Sequence, residues 1–146
     1  MSEEEDTAED YWLCVKVHGK LGAGFVEKVY ENALRIELEK AGLQVRQQAP
    51  IQVKYEGQVV GEFTADLLVE ESLIIELKAA HTLVPDHEIQ LVNYLTATGM
   101  DSGLLINFKS VEVRRKFREY RKKSNPDKSC KILFILLRLF VLERGQ

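Results

Sequence analysis

Cysteine is scarce in this 146-residue chain: Cys14 and Cys130 stand far apart and show no CxxC spacing. That excludes a disulfide framework and a cysteine-built zinc site, and fits a reducing, cytoplasmic compartment. Three prolines and nine glycines are too few for a collagen-like or low-complexity chain. The opening MSEEEDTAED has six acids and no base, so no export signal is expected there. Also missing is an apolar run of the roughly 20 residues that a membrane span needs. The nearest approach, within KILFILLRLFVLERG, is broken by Arg138. It reads either as an element packed on the body or in a subunit interface of a homo-oligomer, or as an interfacial anchor helped by the bases before it.

What is present is the make-up of a globule, 45% hydrophobic and 29% charged, at a length that suits one domain with a real core. The net charge of −3 conceals unlike regions. Residues 11–108 hold eight Lys or Arg against thirteen Asp or Glu, whereas residues 109–131 hold ten bases against three acids. An acidic body binds a phosphate polymer poorly, because such affinity comes largely from counterions released by Lys and Arg. Nucleic-acid contacts are therefore expected from Arg114, Arg115, Lys116, Arg118, Arg121 and Lys122, or through a bound cation. The division expected is an acidic disordered N-terminus over 1–10, a folded domain over 11–108, and a basic segment with an apolar extension over 109–146.

Periodicity predicts the elements. A short helix is expected over Tyr11–Leu21, and a second over Phe25–Ala41, closed by Gly42. In the second, Phe25, Val29, Ala33 and Ile36 trace an apolar stripe, with Val26, Tyr30, Leu34 and Leu38 adjoining it. Ile51, Val53 and Tyr55 then alternate with polar residues as a strand; Val59–Glu70 and Leu73–Lys78 follow as two more. Asp86 is expected to cap a helix over His87–Thr98. Gly103–Phe108 reads as a buried strand, although periodicity alone does not separate that from a helix end. Residues 109–123 suit a basic helix, with Val113, Phe117 and Tyr120 at helical spacing. The order implies an α/β (α+β) fold: a central sheet covered by helices.

Chemistry concentrates in Asp66, Glu76 and Lys78. Positions i and i+2 of a strand share a face, which puts Glu76 beside Lys78. A three-residue connection of Glu70, Glu71 and Ser72 pairs Val69 with Leu73 and sets Asp66 opposite Glu76; a two-residue loop puts the carboxylates on opposite faces. In the first register the acids stand about 5 Å apart, a costly arrangement unless a cation lies between them. Mg²⁺ suits such hard oxygen donors and needs only one or two carboxylates. Lys78 would then orient a water or stabilise charge on a phosphate, the arrangement of metal-assisted phosphodiester hydrolysis. The same residues also suit the wet face of a hairpin. Favouring chemistry, Leu73, Ile74, Ile75 and Leu77 surround the charges with apolar residues, and a charge on a covered strand needs a reason.

Gly24-Phe25-Val26-Glu27-Lys28-Val29-Tyr30 matches the GxxExxY signature, and LGAGFVEKVYENAL resembles that family's opening helix. GEFTADLLVEESLIIELKA, HEIQLVNYL and GLLINF are similar to its later blocks in the same order, over about His18–Phe108; Ala23 stands where the family usually has Pro. The resemblance implies the PD-(D/E)XK nuclease superfamily, with a restriction-endonuclease-like core: a mixed sheet flanked by helices and an acidic site at its centre. It also implies Asp66 and Glu76 as ligands of Mg²⁺ (or Mn²⁺), Lys78 as the catalytic lysine, Glu27 as a helix-borne acid touching the metal directly or through water, and Gln90 as a glutamine beside the site. On their own, Glu27 and Gln90 also read as solvated helix residues, and Tyr30 as a packing residue. Two functions follow: a metal-dependent nuclease acting on DNA, or less readily RNA, and a non-catalytic nucleic-acid-binding or protein-interaction module on the same fold.

Overall fold

A computed structural model of the chain describes residues 8–118. Its elements run α1 (Ala8–Leu21), α2 (Glu27–Lys40), β1 (Val45–Tyr55), β2 (Gln58–Val69), β3 (Leu73–Lys78), α3 (Pro85–Thr98), β4 (Ser102–Asn107) and β5 (Glu112–Phe117). The strands form one sheet in the order β1-β2-β3-β4-β5. All neighbours are antiparallel except β3 and β4, which are parallel. A parallel pair needs a crossover, and α3 provides it. The fold is a central sheet covered by helices, as the order of elements implied, and the sheet is mixed, as the resemblance implied. None of the described helices is long and apolar enough to cross a membrane.

Two cores sandwich the sheet. On one face Leu13, Val17, Tyr30, Leu34 and Leu38 of α1 and α2 pack on Leu67, Ile75, Leu77, Leu104 and Ile106. On the other, Leu91, Tyr94 and Leu95 of α3 pack on Leu68, Ile74 and Leu105. β3 is therefore covered on both sides, as its unbroken apolar run suggested. The core face of α2 is the Tyr30–Leu34–Leu38 row; Phe25 and Ile36 of the expected stripe point outward. Gly42, at φ 86°, ends α2 as expected: its amide donates to Glu39 O while that of Leu43 reaches Leu38 O.

Three expectations need correction. The segment read as a basic helix contributes β5, because Val111 and Val113 also alternate with period two and the open edge of β4 offers unpaired backbone groups. The sheet thus extends past Phe108; the apolar run beyond Lys131 lies outside the described residues. Asp86 does not cap α3. The helix begins at Pro85 after an extended Val84, whose amide donates to His87 Nδ1. Finally, α1 opens at Ala8 and β1 at Val45, both earlier than periodicity indicated.

Strict alternation also fails at one place. Leu67 and Val69 enter the α1/α2 core, yet Ala65 enters the α3 core together with Leu68. Across the ladder, Gln48 adopts φ 50° and has no Cα partner between Gln47↔Leu67 and Ala49↔Ala65. Here the side-chain parity of the hairpin reverses with no change of register; the register shift of this ladder lies between Val53 and Lys54. The reversal sits opposite Asp66.

At Gly103, α3 packs directly on β4. A Cβ there would come within 2.8 Å of Leu91 Cδ1 and 3.0 Å of the Ile74 carbonyl oxygen. Gly103→Ala should therefore destabilise the fold by about 1–3 kcal/mol, read from urea denaturation.

Candidate active site at the fork between β2 and β3

The β2–β3 ladder runs Val69↔Leu73, Leu68↔Ile74 and Leu67↔Ile75, the register of the three-residue connection. The next residues outward are Asp66 and Glu76. Here the strands part, and side chains replace the ladder: the Asp66 amide donates to Glu76 Oε1 at 3.0 Å, and the Leu77 amide donates to Asp66 Oδ2 at 2.8 Å. Each carboxylate thus satisfies a backbone amide of the opposite strand, a group that would be costly to leave unpaired.

Glu76 is buried, at 5% exposure, and its carboxyl is pushed up to about 8, first by desolvation and then by the charge of Asp66; Lys78 works in the opposite direction without prevailing. Lys78 follows Glu76 at i+2 in β3 and is half-buried. On α3, Gln90 Nε2 donates to Tyr94 Oη at 2.9 Å. The Tyr94 hydroxyl is raised first by burial and then by the charges of Glu76 and Asp66. Tyr94 was not singled out in the sequence; it lies one turn after Gln90 and reads there as core.

The other side of Asp66 opens on a cleft of about 520 Å³, lined in part by Phe25, Glu27, Lys28, Glu31, Gln48 and Asp66. Glu76, Lys78 and Gln90 are outside that lining. Glu27, the first residue of α2, is exposed on the cleft wall. The acid linked to Asp66 by hydrogen bonds is Glu31, one turn further on. It is 3% exposed and accepts from Lys28 Nζ, Gln47 Nε2 and Gln48 Nε2, each at 2.6 Å. Gln48 Nε2 also donates to Asp66 Oδ1 at 3.3 Å. Sequence reading missed Glu31 and Gln48. A signal existed for Glu31, an acid four residues after Glu27 in the Tyr30–Leu34–Leu38 face; none existed for Gln48. Tyr30 packs, stacking on Phe108 at 4.5 Å, and its hydroxyl donates to Gly22 O at 2.6 Å, tying down the loop before α2.

Asp66 and Glu76 are hard oxygen donors that could hold Mg²⁺ or Mn²⁺. Among the described residues no group of three or more His, Cys, Asp or Glu side chains suits a metal ion. A donor pair fits a hydrated Mg²⁺, which keeps several waters, better than an all-protein cage. Of the bases expected to meet phosphate, Arg114 pairs with Glu88 and Glu112, Lys116 with Glu88 at 3.0 Å, and Arg118 with Asp101 at 3.3 Å. Burial alone would raise the Glu88 carboxyl, but Arg114 and Lys116 hold it below its ordinary value. Arg115 lies within β5; Arg121 and Lys122 lie outside the described residues.

The raised Glu76 has a stability consequence. Between its ordinary value of 4.5 and about 8 the folded state holds a proton that the unfolded state has released, so stability falls as pH rises through that window. Glu76→Gln keeps an acceptor for the Asp66 amide and removes the charge. Without divalent ions it should raise the melting temperature at pH 8, by on the order of 1–2 kcal/mol of stability, with little effect at pH 4.5. Thermal scans at the two pH values check this.

No curated protein matches the chain. Among solved structures, SSO0001 is similar at 16% identity and a TM-score of 0.48, over 79% of this chain and 57% of that one. An alkaline exonuclease, LHK-Exo, from Laribacter hongkongensis is similar at 13% identity and a TM-score of 0.46, over 99% of this chain and 83% of its own. This chain therefore spans little more than half of SSO0001. The sequence profile of the PD-(D/E)XK nuclease superfamily matches residues 6–120, most of the chain, and the protein belongs to that superfamily.

Proposed function

We propose that this protein is a Mg²⁺- or Mn²⁺-dependent nuclease that hydrolyses phosphodiester bonds in DNA. The observation that carries the reading is the Asp66–Glu76 pair at the fork, two carboxylates held together by the opposite strand's amides with Lys78 two positions beyond. Asp66 and Glu76 are the residues that would hold the ion. When bound, such an ion polarises a phosphoryl oxygen and stabilises the charge that develops on it. Lys78 presents an ammonium group on the Glu76 side of β3, where it orients the attacking water and offsets negative charge on the phosphate. Glu27 faces the cleft that Asp66 lines and is suited to receive a water of the ion's shell. Gln90, through Tyr94, fixes polar groups on the α3 side of the acids. The preference for DNA over RNA rests on the superfamily alone.

A second reading, a module that binds without cutting, draws on a different observation. Tyr55, Val60 and Phe63 on the β1–β2 hairpin are exposed, and Arg114, Lys116 and Arg118 are engaged in ion pairs.

The test is incubation of the purified chain with linear, circular and single-stranded DNA and with RNA, in Mg²⁺, Mn²⁺ or EDTA. Cleavage of DNA should require the ion, vanish in Asp66→Ala, and fall about 10²–10⁴-fold in Lys78→Ala. Cleavage that survives both substitutions, or none with any substrate and ion, would count against the nuclease; salt-sensitive binding without cleavage would favour the module.

A further inference from the structure

The Gln48 side chain is the single direct hydrogen-bond link between the acid of β2 and the buried acid of α2 among the described residues. Its amide nitrogen donates to Glu31 Oε1 at 2.6 Å and to Asp66 Oδ1 at 3.3 Å, while its amide oxygen accepts from Thr64 Oγ1 at 3.0 Å. Both amide ends are thus used, and the donor–acceptor assignment is self-consistent: nitrogen toward two carboxylates, oxygen toward a hydroxyl. The backbone conformation serves the same end. At φ 50°, Gln48 occupies a region that non-glycine residues seldom visit, inside a strand and opposite Asp66. With an ordinary strand backbone, successive side chains would point to opposite faces; here Gln47 and Gln48 both reach Glu31. Strained positions of this kind persist where the surroundings hold them, often at functional sites.

We infer that Gln48 is a positioning residue of the metal site. It fixes the Asp66 carboxylate in the orientation that receives the cation and ties it to α2 through Glu31. The inference rests on the reading of Asp66 as a metal ligand and adds to it a residue that the catalytic motif does not include. A neutral amide suits the role chemically. It gives Asp66 a fixed donor at one oxygen without neutralising the carboxylate, whereas a lysine or arginine at this position would bring a permanent positive charge to the place the cation must occupy. Hydrogen-bond partners of ligating carboxylates commonly matter about 10–100-fold in metal affinity.

The experiment is a calorimetric titration of Mn²⁺ into the metal-free chain, with melting temperatures recorded in parallel. Gln48→Gly removes the amide and relaxes the backbone at φ 50°; Gln48→Asn keeps an amide and tolerance of that conformation but shortens the reach. Gln47→Ala removes another donor to Glu31 that does not touch Asp66. Both Gln48 variants should bind Mn²⁺ about 10–100-fold more weakly while melting within a few degrees of the parent, and Gln47→Ala should retain parental affinity. Parental affinity in either folded Gln48 variant would overturn the inference, as would an equal loss in Gln47→Ala, which would assign the effect to the placement of Glu31. A parent that binds Mn²⁺ in a Gln48-dependent way yet cleaves nothing would sustain the inference and sink the nuclease reading. A parent that takes up no Mn²⁺ would overturn both.

Discussion

The parting of β2 from β3 sets the constraint on which the site depends. Past Leu67↔Ile75 the backbone amides of Asp66 and Leu77 lose their ladder partners while remaining in the interior, and an unpaired amide there is expensive. Carboxylates from the opposite strand fill both vacancies. The two acids therefore end the ladder and concentrate negative charge in one step. The Glu76 carboxyl is raised as a result, first by its burial and then by the charge of Asp66. On the proposed reading, an incoming cation would meet donors already held in place by the fold and would offset the Asp66 charge that helps to raise Glu76.

From that fork, hydrogen bonds run into the α1/α2 layer. On the α1/α2 side Asp66 leads through Gln48 to Glu31, and α2 is anchored further along by Tyr30, stacked on Phe108 and bonded to Gly22. On the α3 side the pair adjoins Tyr94, held by Gln90 and packed at 5.7 Å from Phe63 of β2. Elements far apart in sequence thus converge on one end of the sheet. The cost of that convergence is visible in the irregularity at Gln48, where the parity of the hairpin reverses so that polar side chains face α2 and Ala49 and Ile51 face α3.

The parts legible in the sequence are those with local causes. The Schellman closure at Gly42 and the two-sided burial of β3 follow from short patterns, whereas Glu70, Glu71 and Ser72 admit two registers, of which the structure takes the three-residue one that sets Asp66 against Glu76. β5 was not legible because Val111, Val113 and Phe117 satisfy a period of two while Val113, Phe117 and Tyr120 satisfy a helical one; the choice is made by the unpaired edge of β4, a tertiary fact. The core stripe of α2 was misjudged for a related reason. Glu31 and Glu37 look like solvent residues, yet both lie on its buried face. Gln47, Gln48 and Lys28 satisfy the first and Lys16, at 2.8 Å, the second. Gln48 was invisible because nothing in RQQAP announces a left-handed residue; its conformation answers to partners 16 to 18 positions away.

Charge bears on how the polyanion of the proposed function would reach this site. The body is acidic, and Arg114, Lys116 and Arg118 of the β5 region are drawn into pairs with Glu88, Glu112 and Asp101, fastening the sheet edge to α3 and to the start of β4 rather than forming an open phosphate track. Asp66 by itself repels phosphate, and Glu76 adds to this only where its raised carboxyl is ionised. On the proposed reading, a divalent ion held by these acids would reverse the local sign, and by linkage a phosphate that favours the ion-loaded site would in turn tighten the ion. On the proposed reading the acids, the cation and the substrate would be thermodynamically coupled: the same carboxylates that cap the amides of the parted strands would make the affinity for nucleic acid conditional on the metal.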